Sequence, residues 1–168
     1  MSDITVLLKL KIQTLLERLA LGAEYLIKNR TAEGKDSNLS EFEPYSPAYK
    51  LVRSKAGLPA QPVSMFYSGD MLGQITHEIA SFDPNSVEIF FRTKRAEDLA
   101  FYHNISGAGK SGTKRPGRVI RQFFALSDSD IEQLMKLADD SVNEFAEEIG
   151  TDIIQDMLIN LRNKNVTN

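Results

Sequence analysis

The stretch Asp98–Leu137, DLAFYHNISGAGKSGTKRPGRVIRQFFALSDSDIEQLMKL, decides how the rest of the chain is read, because it joins three unlike pieces. Asp98–His103 is apolar and helix-like. Asn104–Gly117 holds four glycines, two serines, a proline and three basic residues without periodicity. Such a composition buries too little apolar surface to order itself, so a mobile loop is expected there until a neighbour holds it. Arg118–Leu126 (RVIRQFFAL) is β-branched and aromatic, as a strand would be. Ser127 then caps a helix: Ser-Asp-Ser-Asp sets hydroxyl and carboxylate oxygens beside the free N–H groups of a first turn ahead of Ile131, Leu134 and Leu137.

Working outward, Val87–Thr93 and Gln74–Phe82 are β-prone runs joined by Asp83-Pro84-Asn85-Ser86, a hairpin signature. Val87, Ile89 and Phe91 share one face of the second run. Ser46 and Pro47 open a short helix that Gly57 stops. Met65–Gly73 reads as a turn into a short helical segment capped by Ser68. At the N-terminus, Ile4, Leu8, Ile12, Leu15, Leu19, Ala23 and Leu26 form one apolar stripe of a helix that ends at Asn29-Arg30. At the C-terminus the stripe is Ile131, Leu134, Ala138, Val142, Phe145, Ile149, Ile153, Met157 and Leu161. The expected fold is therefore α+β in a single domain. A small antiparallel sheet of three or four strands, in a core spanning about residues 63–126, packs against long N-terminal (3–29) and C-terminal (127–163) helices.

The chain has 168 residues, enough to bury a real core, and a net charge of −3 that is unevenly spread. Arg92–Arg121 carries eight Lys or Arg against Glu97 and Asp98, while Asp128–Asp156 carries ten acids against Lys136. That asymmetry suits a chain that docks head to tail on its own copies or on charged neighbours; two solvated faces of opposite sign account for it equally well. With no cysteine, disulfides and thiolate metal sites are excluded. No run is long and apolar enough to span a bilayer, so no membrane partner is expected, and Met1–Leu10 lacks the build of a signal peptide.

The chemical motifs fail on spacing. Gly109-Lys110-Ser111 lacks the glycine six residues before the lysine that a phosphate loop requires, because Asn104 stands there. His77 and His103 have no ligand at metal spacing in their own segments. Ser68 lies in YSGDM, not in G-x-S-x-G. No catalytic residue, metal or cofactor is expected. The residues that look made for contact are Lys110, Lys114, Arg115, Arg118 and Arg121 on the basic side and Asp139, Glu144, Glu147 and Glu148 on the acidic side. The basic set could also meet the phosphates of DNA, with Phe101 and Tyr102 as the nearby aromatics.

Several fragments together resemble a family. They are Arg30-Thr31 with Gly34 and Asp36, Phe42–Lys50 (FEPYSPAYK), Pro62-Val63, Ser68–Leu72 (SGDML), Leu99–Asn104 (LAFYHN) and Phe123–Asp128 (FFALSD). Their order is similar to that of the virion morphogenesis and tail-completion (neck, head–tail joining) proteins of tailed bacteriophages. The chain departs from that pattern where Arg121-Gln122-Phe123 replaces arginine-proline-phenylalanine, in the later position of Gly107, and in a longer C-terminal helix. The resemblance implies a non-enzymatic virion protein, assembled in the host cytoplasm into a ring of its own copies, six by analogy with the six-fold tail. Its partners would be head-closure or adaptor proteins and tail-tube or tail-terminator proteins, with non-specific contact to genome DNA in the channel. A nucleic-acid-associated or regulatory protein of a mobile element, using the basic loop, is the alternative from another class.

Overall fold

A computed structural model of the chain describes residues 2–80, 83, 85–107 and 119–166. In order, its elements are helix α1 (Ser2–Ala32), helix α2 (Pro47–Lys55), a 3-10 turn (Leu72–Gln74), strands β1 (Ile75–Ile79) and β2 (Val87–Phe91), helix α3 (Lys94–Phe101), a π-helical turn (Tyr102–Ser106) and helix α4 (Asp128–Val166). Helix and strand are mixed, with a two-stranded antiparallel sheet and long helices at both ends.

The long helices run antiparallel, and side chains along their seam set the register. Lys11 pairs with Glu148, Arg18 reaches Glu144 at 2.5 Å, and Arg30 pairs with Asp130. Between them lies Gly22, where a Cβ would stand 3.0 Å from Leu134 Cδ2 and 3.3 Å from Leu137 Cδ2. A glycine inside a helix costs about 1 kcal/mol against alanine, and here its bare backbone admits α4. Farther along, the cationic heads of Lys11 and Arg18 lie over the Phe145 ring, 4.8 and 5.1 Å from its centroid. Helix α4 continues through Gly150 and Thr151, whose hydroxyl donates to Glu147 O at 2.9 Å.

Both seam ends near Arg30 are closed by side chains and turn geometry. Helix α1 terminates in a Schellman motif: Lys35 N donates to Arg30 O and Gly34 N to Thr31 O, each at 3.1 Å. Gly34 has φ +86°, which only glycine adopts without strain, and a Cβ there would meet Pro62 Cβ at 2.9 Å. Helix α4 begins in a capping box, with Asp130 N donating to Ser127 Oγ (3.1 Å) and Ser127 N donating to Asp130 Oδ2 (2.8 Å). Asp130 therefore caps one helix and pairs with the last turn of the other.

Strands β1 and β2 pair from Ile75↔Phe91 to Ile79↔Val87. Asp83 closes the hairpin by accepting Ser86 N on its carbonyl (3.1 Å) and Asn85 N on its carboxylate (2.9 Å). The alternation of β1 turns Ile75 and His77 to the same face. His77 meets Glu24 of α1 there, and Lys28 bonds both Glu24 (2.7 Å) and Ile75 O (3.0 Å). The core gathers Ile27, Phe42, Tyr45, Val63, Met71, Leu72, Ile75, Ala100 and Phe123, so it draws on most of the chain and not only on the expected 63–126 segment. Small residues at Ala96 and Ala100 bring α3 onto it after Thr93 caps that helix.

Several expectations are corrected. The sheet has two strands among the described residues, not three or four. Arg118 lies outside the described residues, and after a single bridge at Val119 the run to Leu126 is irregular. Its backbone is held by side chains in place of a ladder: Asn104 Oδ1 accepts Phe123 N (2.8 Å) and Phe124 N (3.0 Å), and Arg30 donates to Phe123 O and Ala125 O. Helix α1 runs past Asn29-Arg30 to Ala32. The 3-10 turn has no side-chain cap, so Ser68 does not start it. The apolar stripes are also displaced. Ala20, Ala23, Ile27, Arg30 and Thr31 form the buried face of α1, while Leu8 and Ile12 are exposed. On α4, Asp130, Ser141 and Phe145 are buried and Ile131 and Val142 are exposed.

Candidate functional site

The nine charged residues singled out above fall into different places. Lys110, Lys114, Arg115 and Arg118 lie outside the described residues, as does the phosphate-loop-like triplet Gly109-Lys110-Ser111. Arg121 is a correction: it is a buried residue, 6 % exposed, and not an outward contact. Its Nη2 donates to Glu43 O at 2.7 Å, its guanidinium lies 5.5 Å from the centre of the Tyr45 ring, and its N–H donates to His103 O. On α4, Asp139, Glu144, Glu147 and Glu148 are all exposed. Glu144 and Glu148, however, already answer Arg18 and Lys11 of the same chain. The hydrogen bond to Arg18 holds the Glu144 carboxyl below its ordinary value.

A second buried arginine was not legible from its residue type. Arg53 is 1 % exposed, donates to Pro59 O (2.8 Å) and Phe66 O (2.6 Å), and lies 4.8 Å from the centre of the Tyr45 ring. Tyr45 thus carries two guanidinium groups on its ring, and its hydroxyl accepts Met65 N at 3.0 Å. Burial raises the Tyr45 pKa, which keeps the phenol neutral and able to accept that bond. Carbonyl oxygens and one aromatic ring hold both cations; among the described residues neither has a carboxylate partner. This cluster ties α2, the 59–66 segment and residue 121 together.

Both histidines are partly buried. His77 bonds the Glu24 carboxylate at 2.6 Å. Burial alone would raise the Glu24 pKa, and the bonds from His77 and Lys28 outweigh it and hold the carboxyl low. No group of three metal-ligating residues occurs among the described residues. His103 lies in the π-helical turn; burial, with the nearby Arg121 charge, lowers its pKa from 6.5 to about 4, so it is neutral at pH 7. Its Nδ1 is buried with no hydrogen-bond partner among the described residues.

What the sequence reading missed is that Phe101 and Tyr102 belong with three further exposed aromatics. Tyr49 of α2, Phe66 and Tyr67 of the following segment, and Phe101 and Tyr102 at the end of α3 are all exposed. Tyr49 packs edge-on against Tyr45 at 5.1 Å and stands 6.3 Å from Tyr67. Together with Met65, Leu99 and His103, Tyr49 and Tyr67 line a cleft of ≈ 230 Å³, bordered by an Arg95–Asp70 pair at 3.4 Å. Phe66 and Tyr67 sit in an irregular segment, and Tyr49 and Phe101 in helices of nine and eight residues, too short for periodicity to mark them. Two further apolar groups are exposed on the helix pair: Leu21 with Tyr25 on α1, and Ile131, Met135 and Val142 on α4. Comparison with family models, with curated proteins and with solved structures finds no match to this chain.

Proposed function

We propose that the chain is a structural subunit of a tailed-phage neck that joins its copies head to tail in a ring and carries out no chemistry. The observation that carries this reading is the separation of two unlike apolar surfaces. One is the aromatic group around Tyr49 and Tyr67; the other is the long-helix pair, which exposes Leu21 and Tyr25 on α1 and Ile131, Met135 and Val142 on α4. Large exposed apolar groups mark association surfaces. A ring requires two different surfaces on each subunit, whereas a two-fold dimer needs one self-matching patch.

The sequence fragments that resemble phage tail-completion proteins support the same reading, since Arg30, Thr31, Phe42, Tyr45, Val63, Met71 and Phe123 pack in one body around the core. Apolar contact supplies the affinity in this picture. Exposed charges contribute about 0–1 kcal/mol each and select register. Glu147 and Asp139 are exposed without a basic partner among the described residues and suit that role, whereas Arg121 is buried; Lys110, Lys114, Arg115 and Arg118 lie outside the described residues. Six copies, virion location, and neighbours of the adaptor, tail-tube or terminator kind follow from the resemblance alone.

Sedimentation or native mass measurement of the purified protein tests the proposal. A discrete closed oligomer of more than two copies is expected at micromolar concentration. A monomer across the accessible range overturns it. Tight, salt-sensitive DNA binding by that monomer would favour the nucleic-acid reading instead.

A further inference from the structure

We infer that helix α2 of one copy seats its exposed apolar face on the acid-edged stripe Ile131–Val142 of helix α4 in the next. The inference rests on the head-to-tail assembly proposed above and names its contact. For a surface helix, α2 is turned inside out. Ala48, Leu51, Val52 and Lys55 follow at i, i+3, i+4 and i+7, the spacing of a stripe that faces a core. Yet all four are exposed, Leu51 by 59 % and Val52 by 47 %. The inward place is taken by Arg53, which donates to Pro59 O and Phe66 O. Ser46 caps the first turn by accepting Tyr49 N, and Gly57, at φ +70°, closes the last, with Leu58 N donating to Arg53 O. The orientation of the helix is thus set before any partner arrives. An apolar face held outward in this way marks an association surface.

Charge selects the occupant. Of the four described α-helices, α2 alone has no acidic residue. Its Lys50 and Lys55 have no acidic partner among the described residues, whereas Lys94 and Arg95 of α3 already answer Glu97, Asp98 and Asp70. On α4, Ile131, Met135 and Val142 are exposed. At 3.6 residues per turn they lie within about 40° of one another around the helix, hence on one stripe. Asp128, Glu132 and Asp139 each stand three residues before one of them and edge that stripe. All three acids are exposed and have no basic partner among the described residues. Lys136 is the one base between residues 128 and 142. A second α4 laid on this stripe would set acid against acid; α2 brings base alone, which steers encounter and fixes orientation. The lengths also agree: at 1.5 Å per residue α2 is about 14 Å long, and Ile131 to Val142 rises roughly 16 Å.

Because the chain is free of cysteine, cross-linking reads the contact directly. Val52→Cys and Met135→Cys proteins are prepared separately, mixed, and treated with a short bis-maleimide. A covalent dimer is expected in the mixture and not with either variant alone. In the same buffer Leu51→Ser weakens assembly by about tenfold or more, as loss of a leucine that association buries does. Lys55→Glu weakens it up to about fivefold, and Glu132→Lys with Asp139→Lys in the same chain restores part of that. Undiminished assembly with Leu51→Ser, a charge swap that restores nothing, or a mixture that assembles without the cross-link overturns the α2–α4 contact and leaves the ring standing. A closed pair of copies that does cross-link keeps the contact and overturns the ring. A wild-type chain that stays monomeric, with no cross-link in the mixture, overturns both.

Discussion

The seam where Arg30 meets Asp130 and the cleft beside His103 are both polar groups set in apolar surroundings, yet they are built to opposite ends. At the seam, the Asp130 carboxylate takes a salt bridge and the capping bond from Ser127 N, and the facing guanidinium also serves two carbonyls 93 and 95 residues away in sequence. At the cleft, aromatic rings face outward and an imidazole is kept neutral with an unsatisfied nitrogen among the described residues. Satisfied polar groups hold a single native arrangement; exposed rings and an unmatched polar atom add little to it. The seam should therefore govern stability and the cleft should not.

Breaking the seam gives the largest effect. Arg30→Ala leaves Asp130 buried without its cation and should cost about 3–5 kcal/mol, the range for a buried pair that loses one partner. For a chain of this length that lowers Tm by roughly 10 °C or more, measurable by calorimetry. The double change Arg30→Met with Asp130→Leu should lose less than the sum of the two single changes, since no lone charge remains.

Acid offers a milder test from the cleft side. Unfolded, His103 takes up a proton near pH 6.5; folded, near 4. Stability is then full above about pH 6.5 and falls as pH drops toward 4, by at most about 3 kcal/mol. Glu24 and Glu144, with carboxyls held low, add their loss only below about pH 4.5. Thermal melts at pH 7 and pH 4.8 should show His103→Gln losing less between the two than wild type. An equal loss in both would place the acid sensitivity elsewhere.

Packing along the seam comes next. Gly22→Val drives a branched side chain at Leu134 and Leu137 and should cost about 1–3 kcal/mol, read from the denaturant midpoint. The smallest effect belongs to the cleft rim. Tyr67→Ser and Tyr102→Ser should move the monomer's stability by no more than about 0.5 kcal/mol. A drop of 2 kcal/mol in either would make those rings part of the core and erase the contrast.

The parts of the fold legible in the sequence were those with local causes. Ser46 with Pro47, Ser127 with Asp130, and Asp83 in its turn all act within four residues, and each stands where expected. The run after Arg118 misled because β-branched and aromatic composition reports packing, not pairing; Phe123 is fully buried without a strand around it. Helix stripes were misplaced where apolar residues point outward, as Leu8, Ile12, Ile131 and Val142 do, since periodicity ranks apolar positions and does not say what covers them. Buried arginines ran against the usual habit of their residue type. Of the nine charged candidates, four fall outside the described residues, Arg121 turned inward, and Glu144 and Glu148 are answered within the chain.

The Arg30–Asp130 link also orders events during synthesis. The two residues are 100 positions apart, so α1 is complete long before the carboxylate that closes its end exists. At about 5–20 residues per second, the interval is roughly 5–20 s. Throughout it, the face bearing Ala20, Ala23 and Ile27 is without α4 as a neighbour. Ribosome-bound chains halted before Asp130 should be cut by protease along α1, and chains carrying the whole of α4 clear of the exit tunnel should resist it, so α1 is made well before it is secured.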